Sequence, residues 1–219
     1  MITEPKLPDT HRTSMLTFAK DLPNICSLVG LLCAVLSMYF SISGNFPAAM
    51  IGMLWAVFFD WGDGIIARKI KNRTDQQRAF GGQLDSFIDI ISFGICPAVL
   101  LLSYGAFGWL FLPGVFIIVA TSAIRLSYFN IFGLVDNSTY VGLALDNNVL
   151  ILALVFLLDG LISPAVFSIV LYATLMILAG FNLSSIRTPK FAGRWFYILT
   201  AYVLLLTIIY GWIMWHQIK

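Results

Sequence analysis

The distribution of charge along the chain constrains its fold most strongly. No charged residue occurs from Leu22 to Phe59, and further apolar runs follow. A helix that spans a membrane needs about 20 predominantly apolar residues. Of the 219 residues, 59% are hydrophobic and only 11% are charged, whereas soluble domains carry about 25% charged residues. The sequence therefore predicts an integral membrane protein of the all-α class, built as a polytopic helical bundle.

Turn signals divide the apolar sequence into seven predicted helices. The segment Gly44-Asn45-Phe46-Pro47 separates the first two, because Gly, Asn and Pro favour turns. The predicted helices cover roughly Ile25–Ser43, Ala48–Lys69, Gly81–Leu102, a fourth that follows a turn at 104–108 and ends near Phe132, Gly142–Leu158, Pro164–Leu183 and Trp195–Trp215. The length suits a single transmembrane domain over residues 25–219, with no second folded domain.

Residues 1–24 precede the first predicted helix. Residues 10–21 place Met15, Leu16 and Phe18 among polar neighbours, which fits either a short amphipathic helix at the membrane interface or a disordered tail. With the N-terminus inside, all 13 Lys and Arg residues except Lys219 lie in or beside cytoplasmic segments. We therefore expect the N-terminus inside and the C-terminus outside. The absence of an apparent signal peptide points to the inner membrane of a bacterium.

Four aspartates, Asp60, Asp63, Asp85 and Asp89, lie at the cytoplasmic ends of the second and third predicted helices. Members of each pair are three or four residues apart, so each pair shares a helix face. Because a short loop joins the two helices, we expect antiparallel neighbours whose carboxylates face each other. Ionised carboxylates at membrane depth are costly without a partner. Their oxygens suit Mg²⁺, Mn²⁺ or Ca²⁺, so the cluster predicts a membrane enzyme that uses one or two divalent cations.

Small and basic residues beside the cluster are typical of a phosphate site. Gly64 follows Asp63, Arg68 lies one turn further on, and Gly81 is expected to open the third helix, whose N-terminus would favour an anion. A network that only caps helices and a proton or cation relay in a transporter are the alternatives. Only two histidines occur, one near each end, which leaves little material for a zinc or Ser-His-Asp site. A net charge of +2 gives no indication of a nucleic acid partner.

The spacing of these residues resembles the signature of the CDP-alcohol phosphotransferase (phosphatidyltransferase) family. The pattern D-x2-D-G-x2-A-R, followed by G-x3-D-x3-D, is carried by Asp60, Asp63, Gly64, Ala67, Arg68, Gly81, Asp85 and Asp89. The stretches LPN at 22–24, LDSFIDIISFGICP at 84–97, RLSYFN at 125–130 and SSIRTPKF at 184–191 are similar to the serine-using members, the CDP-diacylglycerol–serine O-phosphatidyltransferases. The resemblance implies a homodimer with a six-helix core, which the seventh predicted helix would extend.

The resemblance also implies an activity and roles for the motif residues. The chain would transfer the phosphatidyl group of CDP-diacylglycerol to a small alcohol, with serine favoured, and release CMP. Two Mg²⁺ or Mn²⁺ ions would be bound by Asp60, Asp63, Asp85 and Asp89, and Asp89 would also be the general base. The CDP-lipid would contact Gly64, Ala67, Arg68 and Gly81. Asn24 is a further candidate for that pocket, with helix capping as the alternative.

Polar residues in later helices are candidates for the acceptor pocket. Arg125 could hold the acceptor's carboxylate or the lipid phosphate, or extend toward the membrane interface. Asp146, Asn147 and Asn148 could line the pocket, with Asp146 pairing an ammonium group, or lie in solvent if their helix begins later. The stretch YVGLALDNN at 140–148 departs from the Gly-Leu-Pro stretch usual in serine enzymes. Inositol phosphate, glycerol phosphate and other amino alcohols are therefore alternative acceptors. The gap between Arg68 and Gly81 is also longer than usual in the family.

Overall fold

The computed structural model describes residues 14–136, 139–189 and 193–218. Expectations about Lys6, Arg12, Lys190 and Lys219 concern residues outside this range. Within it, the chain forms nine α-helices and two short strands. The helices are α1 (Met15–Ala19), α2 (Leu22–Ile42), α3 (Phe46–Lys69), α4 (Asp75–Asp89), α5 (Cys96–Tyr104), α6 (Leu112–Phe132), α7 (Leu145–Val155), α8 (Pro164–Asn182) and α9 (Trp195–Ile218), and the strands are β1 (Thr139–Val141) and β2 (Arg187–Pro189).

The all-α membrane bundle predicted from the sequence is confirmed. Six helical segments are long and apolar enough to cross a membrane: Leu22–Ile42, Phe46–Lys69, Asp75–Tyr104, Trp109–Phe132, Pro164–Asn182 and Trp195–His216. The fifth predicted helix is a shorter apolar segment, Leu145–Leu158, about 21 Å long at 1.5 Å per residue. It connects the two ends of the bundle, because Asp146 contacts Trp61 on α3 and Asp159 contacts Tyr104 at the opposite end.

Helices α2 and α3 pack closely because small residues form their contact. The buried face of α2 repeats every three or four residues and consists largely of Ser27, Gly30, Ala34, Ser37 and Ser41. Small side chains let transmembrane backbones approach, and hydroxyls can then bond across the gap. The Ser37 hydroxyl accordingly donates to the Ala49 carbonyl oxygen at 2.7 Å.

Helix α4 begins six residues before the predicted start at Gly81. Thr74 accepts a hydrogen bond from the Gln77 N–H at 3.2 Å, and the Gln77 side chain accepts one from the Thr74 N–H at 2.8 Å. This capping box starts a helix inside the segment that we expected to be a loop. Gly81 and Gly82 therefore lie within α4, and the expectation that Gly81 opens the helix, whose N-terminus would hold an anion, is wrong.

A π-helical segment, Ile90–Ile95, follows Asp89 directly and separates α4 from α5. The Cys96 N–H donates to the Ile91 carbonyl, five residues back, and Pro97 has no N–H to continue the α-helical pattern. The sequence predicted one regular helix here. Wide turns of this kind are frequent at functional sites, and this one directly follows Asp89.

The C-terminal helix α9 belongs to the core. Leu199, Val203, Leu206 and Tyr210 recur on one face of α9 and are buried. The hydroxyl of Tyr202 donates to the Leu150 carbonyl at 2.6 Å, and that of Tyr210 donates to the Ala153 carbonyl at 2.5 Å. Helix α9 is thereby fastened to α7 as well as to α3.

The N-terminal segment is helical over part of its described length. Helix α1 covers Met15–Ala19, with Met15 and Leu16 exposed. The ring of Phe18 stacks on that of Phe80 in α4, with 5.4 Å between their centres. The described residues are therefore attached to the bundle rather than a free tail, and their location at the membrane interface stays a prediction.

The α2–α3 contact is testable at Gly52. A Cβ atom there would lie 2.8 Å from the Cys33 carbonyl oxygen and 2.8 Å from the Ser37 Cβ. We expect Gly52→Ala to lower stability by about 1–3 kcal/mol, because the two helices must move apart, and to lower the melting temperature measured in detergent. Gly180→Ala is the matched control, since nothing lies within 4 Å of its Cβ position. Equal melting temperatures for the two variants would contradict this packing.

Candidate active site

One cavity of about 260 Å³ lies at the end of the bundle where the four motif aspartates converge. Its wall combines residues from both halves of the chain, which are brought together by α3, α4, α6, α7, α9 and the two strands. The polar lining residues are Asp60, Trp61, Asp63, Arg68, Asp85, Asp89, Arg125, Tyr140, Asp146 and Asn147, and Gly64, Phe129, Pro189, Gly193 and Phe196 are among the others.

Three of the motif carboxylates form a compact group. One oxygen each of Asp60, Asp85 and Asp89 lies within 4.8 Å of the other two. The Asp89 Oδ1 atom is buried and has no hydrogen-bond partner among the described residues. A buried carboxylate oxygen without a partner is costly, and oxygen-only ligand sets suit Mg²⁺, Mn²⁺ and Ca²⁺. The residues therefore fit a divalent cation.

Asp63 lines the same cavity but lies outside that compact group. It is buried, and its Oδ2 atom accepts a hydrogen bond from the Ser27 hydroxyl of α2. The Pro23 carbonyl oxygen lies 3.1 Å from the same hydroxyl oxygen. Because α2 orients Asp63 through this contact, Ser27 supports the site, although no motif in the sequence indicated this role.

The residues expected to surround the CDP-lipid are divided between two places. Gly64 and Arg68 line the cavity, as expected, and Arg68 lies one turn beyond Gly64. Asn24, Ala67 and Gly81 are not among its lining residues. The Asn24 amide instead donates to the Phe18 carbonyl at 2.9 Å, and the cap of α2 is Asp21. The alternative of capping by Asn24 is therefore wrong.

Gly81 leaves room for a cluster that the sequence did not reveal. The Arg73 Nε atom lies 2.6 Å from the Asp21 Oδ2 atom, and the two side chains are only 9% and 10% exposed. A Cβ atom at Gly81 would lie 2.7 Å from an Arg73 Nη atom and 2.9 Å from the Asn24 Oδ1 atom. The longer loop between Arg68 and Gly81 thus carries an arginine that ties the start of α2 to α4.

Arg125 is buried in the cavity wall. Its Nε atom donates to the Leu143 carbonyl at 3.1 Å, and its guanidinium carbon lies 5.3 Å from the Phe129 ring centre and 5.4 Å from that of Tyr140. The possibility that it extends toward the membrane interface is wrong, because the side chain is 6% exposed. Burial and the charge of Asp146 raise the pKa of Tyr140 to about 12, so the phenol remains protonated and able to donate.

The three polar residues at the start of α7 have different surroundings. The helix begins at Leu145, later than predicted, yet Asp146 and Asn147 line the cavity instead of projecting into solvent. The Trp61 Nε1 atom donates to the Asp146 Oδ2 atom at 2.7 Å. Asn148 is buried away from the cavity lining. The solvated alternative is therefore wrong for this group, and only two of the three face the site.

The model of the CDP-alcohol phosphatidyltransferase family matches residues 20–158, which is more than half of the chain. The chain belongs to this family. The match includes the whole aspartate motif, Arg125 and Asp146. It ends before β2, Gly193 and α9, and this later part of the chain contributes Pro189, Gly193 and Phe196 to the cavity wall.

Several curated relatives align with parts of the chain. The archaetidylserine synthase of Methanothermobacter thermautotrophicus is 40% identical over 111 residues, covering 50% of this chain and 47% of the relative. The CDP-diacylglycerol–serine O-phosphatidyltransferase of Methanocaldococcus jannaschii is 32% identical over 156 residues, covering 70% of each. The protein of that name from Bacillus subtilis is 30% identical over 115 residues, covering 50% and 61%. The alignments thus span about half to two thirds of the relatives' lengths.

Cation binding by the carboxylate group can be tested without an activity assay. We expect Mn²⁺ to bind the purified protein and to raise its melting temperature, as any ligand of the folded state does. Asp85→Asn should weaken Mn²⁺ binding by about tenfold or more in calorimetry, because it removes one charged ligand. Asp75→Asn, at the exposed start of α4, is the control. Equal Mn²⁺ affinity in both variants would remove Asp85 from the ligand set.

Proposed function

We propose that the chain transfers the phosphatidyl group of CDP-diacylglycerol to the hydroxyl of L-serine, giving phosphatidylserine and CMP. The observation that carries this proposal is the group formed by Asp60, Asp85 and Asp89, with a buried unpaired oxygen, in a cavity that Arg68 also lines. Carboxylates that hold cations beside a phosphate-binding arginine are suited to transfer of a phosphorus group.

The four motif aspartates are the proposed ligands of two Mg²⁺ or Mn²⁺ ions, with Ca²⁺ as a further oxygen-preferring candidate. Bound divalent cations supply charge stabilisation for the attacking and leaving oxygens of an in-line displacement. Ser27 holds Asp63 in orientation through its hydrogen bond. The other three carboxylates lie on α3 and α4. The packing of these two helices sets the distances between these carboxylates.

Asp89 is the proposed general base. A hydroxyl is a poor nucleophile, and a carboxylate that accepts its proton as the bond to phosphorus forms lowers the barrier. The Oδ1 atom of Asp89 has no hydrogen-bond partner among the described residues, so no described protein group competes for a proton there. The proton moves to Asp89, the acceptor oxygen bonds to phosphorus, and the bond to the CMP oxygen breaks. No covalent enzyme intermediate is required.

Gly64 and Arg68 are the proposed contacts of the pyrophosphate. The absent side chain of Gly64 leaves α3 accessible to an anion, and Arg68 lies on the same side of the helix, with its Nη1 atom 3.7 Å from where a Gly64 Cβ would be. Asn24, Ala67 and Gly81 remain candidates by resemblance, and in this structure Asn24 and Gly81 support the neighbouring Arg73 cluster.

Serine is the acceptor that the comparisons support. The names of the relatives described above all include serine, whereas the lipid part is archaetidyl in one and diacylglycerol in the others. Phosphorylated acceptors need a strongly basic pocket. Among the described residues, the basic side chains at the cavity are Arg68 and Arg125, while Arg187 and Arg194 are exposed and do not line it.

A transporter is disfavoured by the interior beyond the cavity. The side chains that fill the bundle between the aspartates and the opposite end include Met50, Met53, Leu54, Leu100 and Leu101, all essentially inaccessible. An ion path would need polar groups along this length. We therefore retain the enzyme as the proposal.

The finer placement of the protein also stays a proposal. We propose a homodimer in the inner membrane of a bacterium, with the N-terminus and the catalytic cavity on the cytoplasmic side. The distribution of Lys and Arg supports this orientation. In the proposed orientation, the cavity lies on the side from which a CDP-lipid of the inner leaflet can enter.

The assay that tests the function is CMP release from CDP-diacylglycerol by purified protein. We expect release to require Mg²⁺ or Mn²⁺ and added serine, and to be weak with inositol phosphate, glycerol phosphate, ethanolamine or choline. Asp89→Asn should reduce kcat by about 10²–10⁴-fold, the usual contribution of a positioned base, without loss of the folded state in detergent. Full activity of that variant, or activity in excess chelator, would refute the mechanism.

A further inference from the structure

Two side chains of opposite charge face the cavity near enough for their charges to act on each other, yet neither forms a salt bridge with a described residue. Arg125 and Asp146 both line the cavity. The salt bridge found among the described residues joins Arg73 and Asp21, outside the cavity lining, and neither Arg125 nor Asp146 takes part in one. A buried charge is costly unless it is paired, so each side chain is suited to a ligand group of the opposite sign.

The surroundings of Arg125 leave most of its donors available. Its Nε atom bonds to the Leu143 carbonyl, and the faces of Phe129 and Tyr140 flank the guanidinium group. A guanidinium carries five N–H donors in a planar fork, and one is used by that bond. The aromatic rings hold the plane of the fork, so the remaining donors suit a planar carboxylate.

The surroundings of Asp146 fix its carboxylate from α3. Trp61 donates to the Asp146 Oδ2 atom at 2.7 Å, and the two residues come from segments 85 positions apart. Trp61 lies between Asp60 and Asp63 in sequence, on the helix that carries these two proposed metal ligands. The indole N–H therefore sets the carboxylate of Asp146 at a defined place relative to the reacting centre.

We infer that Arg125 and Asp146 form a subsite for a zwitterion, in which Arg125 receives the carboxylate and Asp146 the ammonium group of an α-amino acid, with Trp61 as the positioning residue for Asp146. This inference rests on the proposed function and assigns the acceptor specificity of the same cavity. The subsite rejects ethanolamine because nothing then pairs with Arg125. It rejects glycerol phosphate because a phosphate brings negative charge toward Asp146 without an ammonium group to pair with it.

The experiment compares Asp146→Asn and Trp61→Phe with the wild type. Asp159→Asn is the matched control, because Asp159 accepts a 2.7 Å hydrogen bond from the Tyr104 hydroxyl at the other end of the bundle. Acceptors are serine and glycerate, in which a hydroxyl replaces the amino group. We expect Asp146→Asn to raise the KM for serine about tenfold or more, as loss of a charged hydrogen-bond partner does. The ratio of kcat/KM for serine to kcat/KM for glycerate should fall. The KM for CDP-diacylglycerol should stay within about twofold.

Trp61→Phe keeps an aromatic ring and removes only the N–H donor. It should shift the KM for serine in the same direction by about three- to tenfold, the effect of one lost hydrogen bond, with kcat and Mn²⁺ affinity nearly unchanged. A changed Mn²⁺ affinity would show that Trp61 acts on the metal ligands instead and would overturn its positioning role. Arg125→Gln should lower the ratio of kcat/KM for serine to kcat/KM for ethanolamine, because ethanolamine has no carboxylate for Arg125 to bind.

The outcomes separate this inference from the proposed function. If wild-type protein releases CMP with serine and Asp146→Asn keeps its KM for serine and its preference over glycerate, the subsite is wrong and the function stands. If Asp146 only stabilises the first turn of α7, Asp146→Asn will lower the melting temperature and leave the KM for serine and the preference for serine over glycerate unchanged. That result also overturns the subsite. If wild-type protein uses another acceptor and not serine, the proposed function itself fails.

Discussion

Mutual repulsion among partly buried carboxylates is the constraint on which the catalytic end of this bundle depends. One oxygen each of Asp60, Asp85 and Asp89 lies within 4.8 Å of the other two, and like charges this close destabilise one another when ionised. The close α2–α3 packing and the Ser27–Asp63 bond hold the carboxylates in place from the protein side. A divalent cation would remove this repulsion, which agrees with the proposed role of these carboxylates as metal ligands.

Much of this arrangement follows from the sequence. The membrane bundle, the helices α2, α3, α6, α8 and α9, and the convergence of the motif aspartates were predictable because hydrophobic length and i, i+3 or i, i+4 spacing determine them. The start of α4 was also encoded, by Thr74 and Gln77, but a capping box inside a polar segment gives no apolar periodicity. The π-helical segment was not predictable, since one extra residue in a turn leaves the composition unchanged.

Contacts between distant segments were beyond sequence reasoning. Nothing near Trp61 indicates Asp146, and nothing near Asp21 indicates Arg73, because each contact depends on how helices pack. The role of α9 was hidden for a different reason. In a membrane, a helix that faces lipid and a helix that faces protein are both apolar, so composition could not distinguish an appended helix from one whose Val203 and Tyr210 complete the core.

The wide turns after Asp89 separate two parts of one long transmembrane segment. Asp85 and Asp89, before Ile90, belong to the carboxylate group, whereas Tyr104, after Ile95, packs against Phe46 and Phe156 at the opposite end of the bundle. In a regular helix, any rotation that accommodates a new side chain at one end would turn the other end too. Because the π-helical segment interrupts this helix, the half beyond Ile95 need not follow a rotation of the half that carries Asp85 and Asp89.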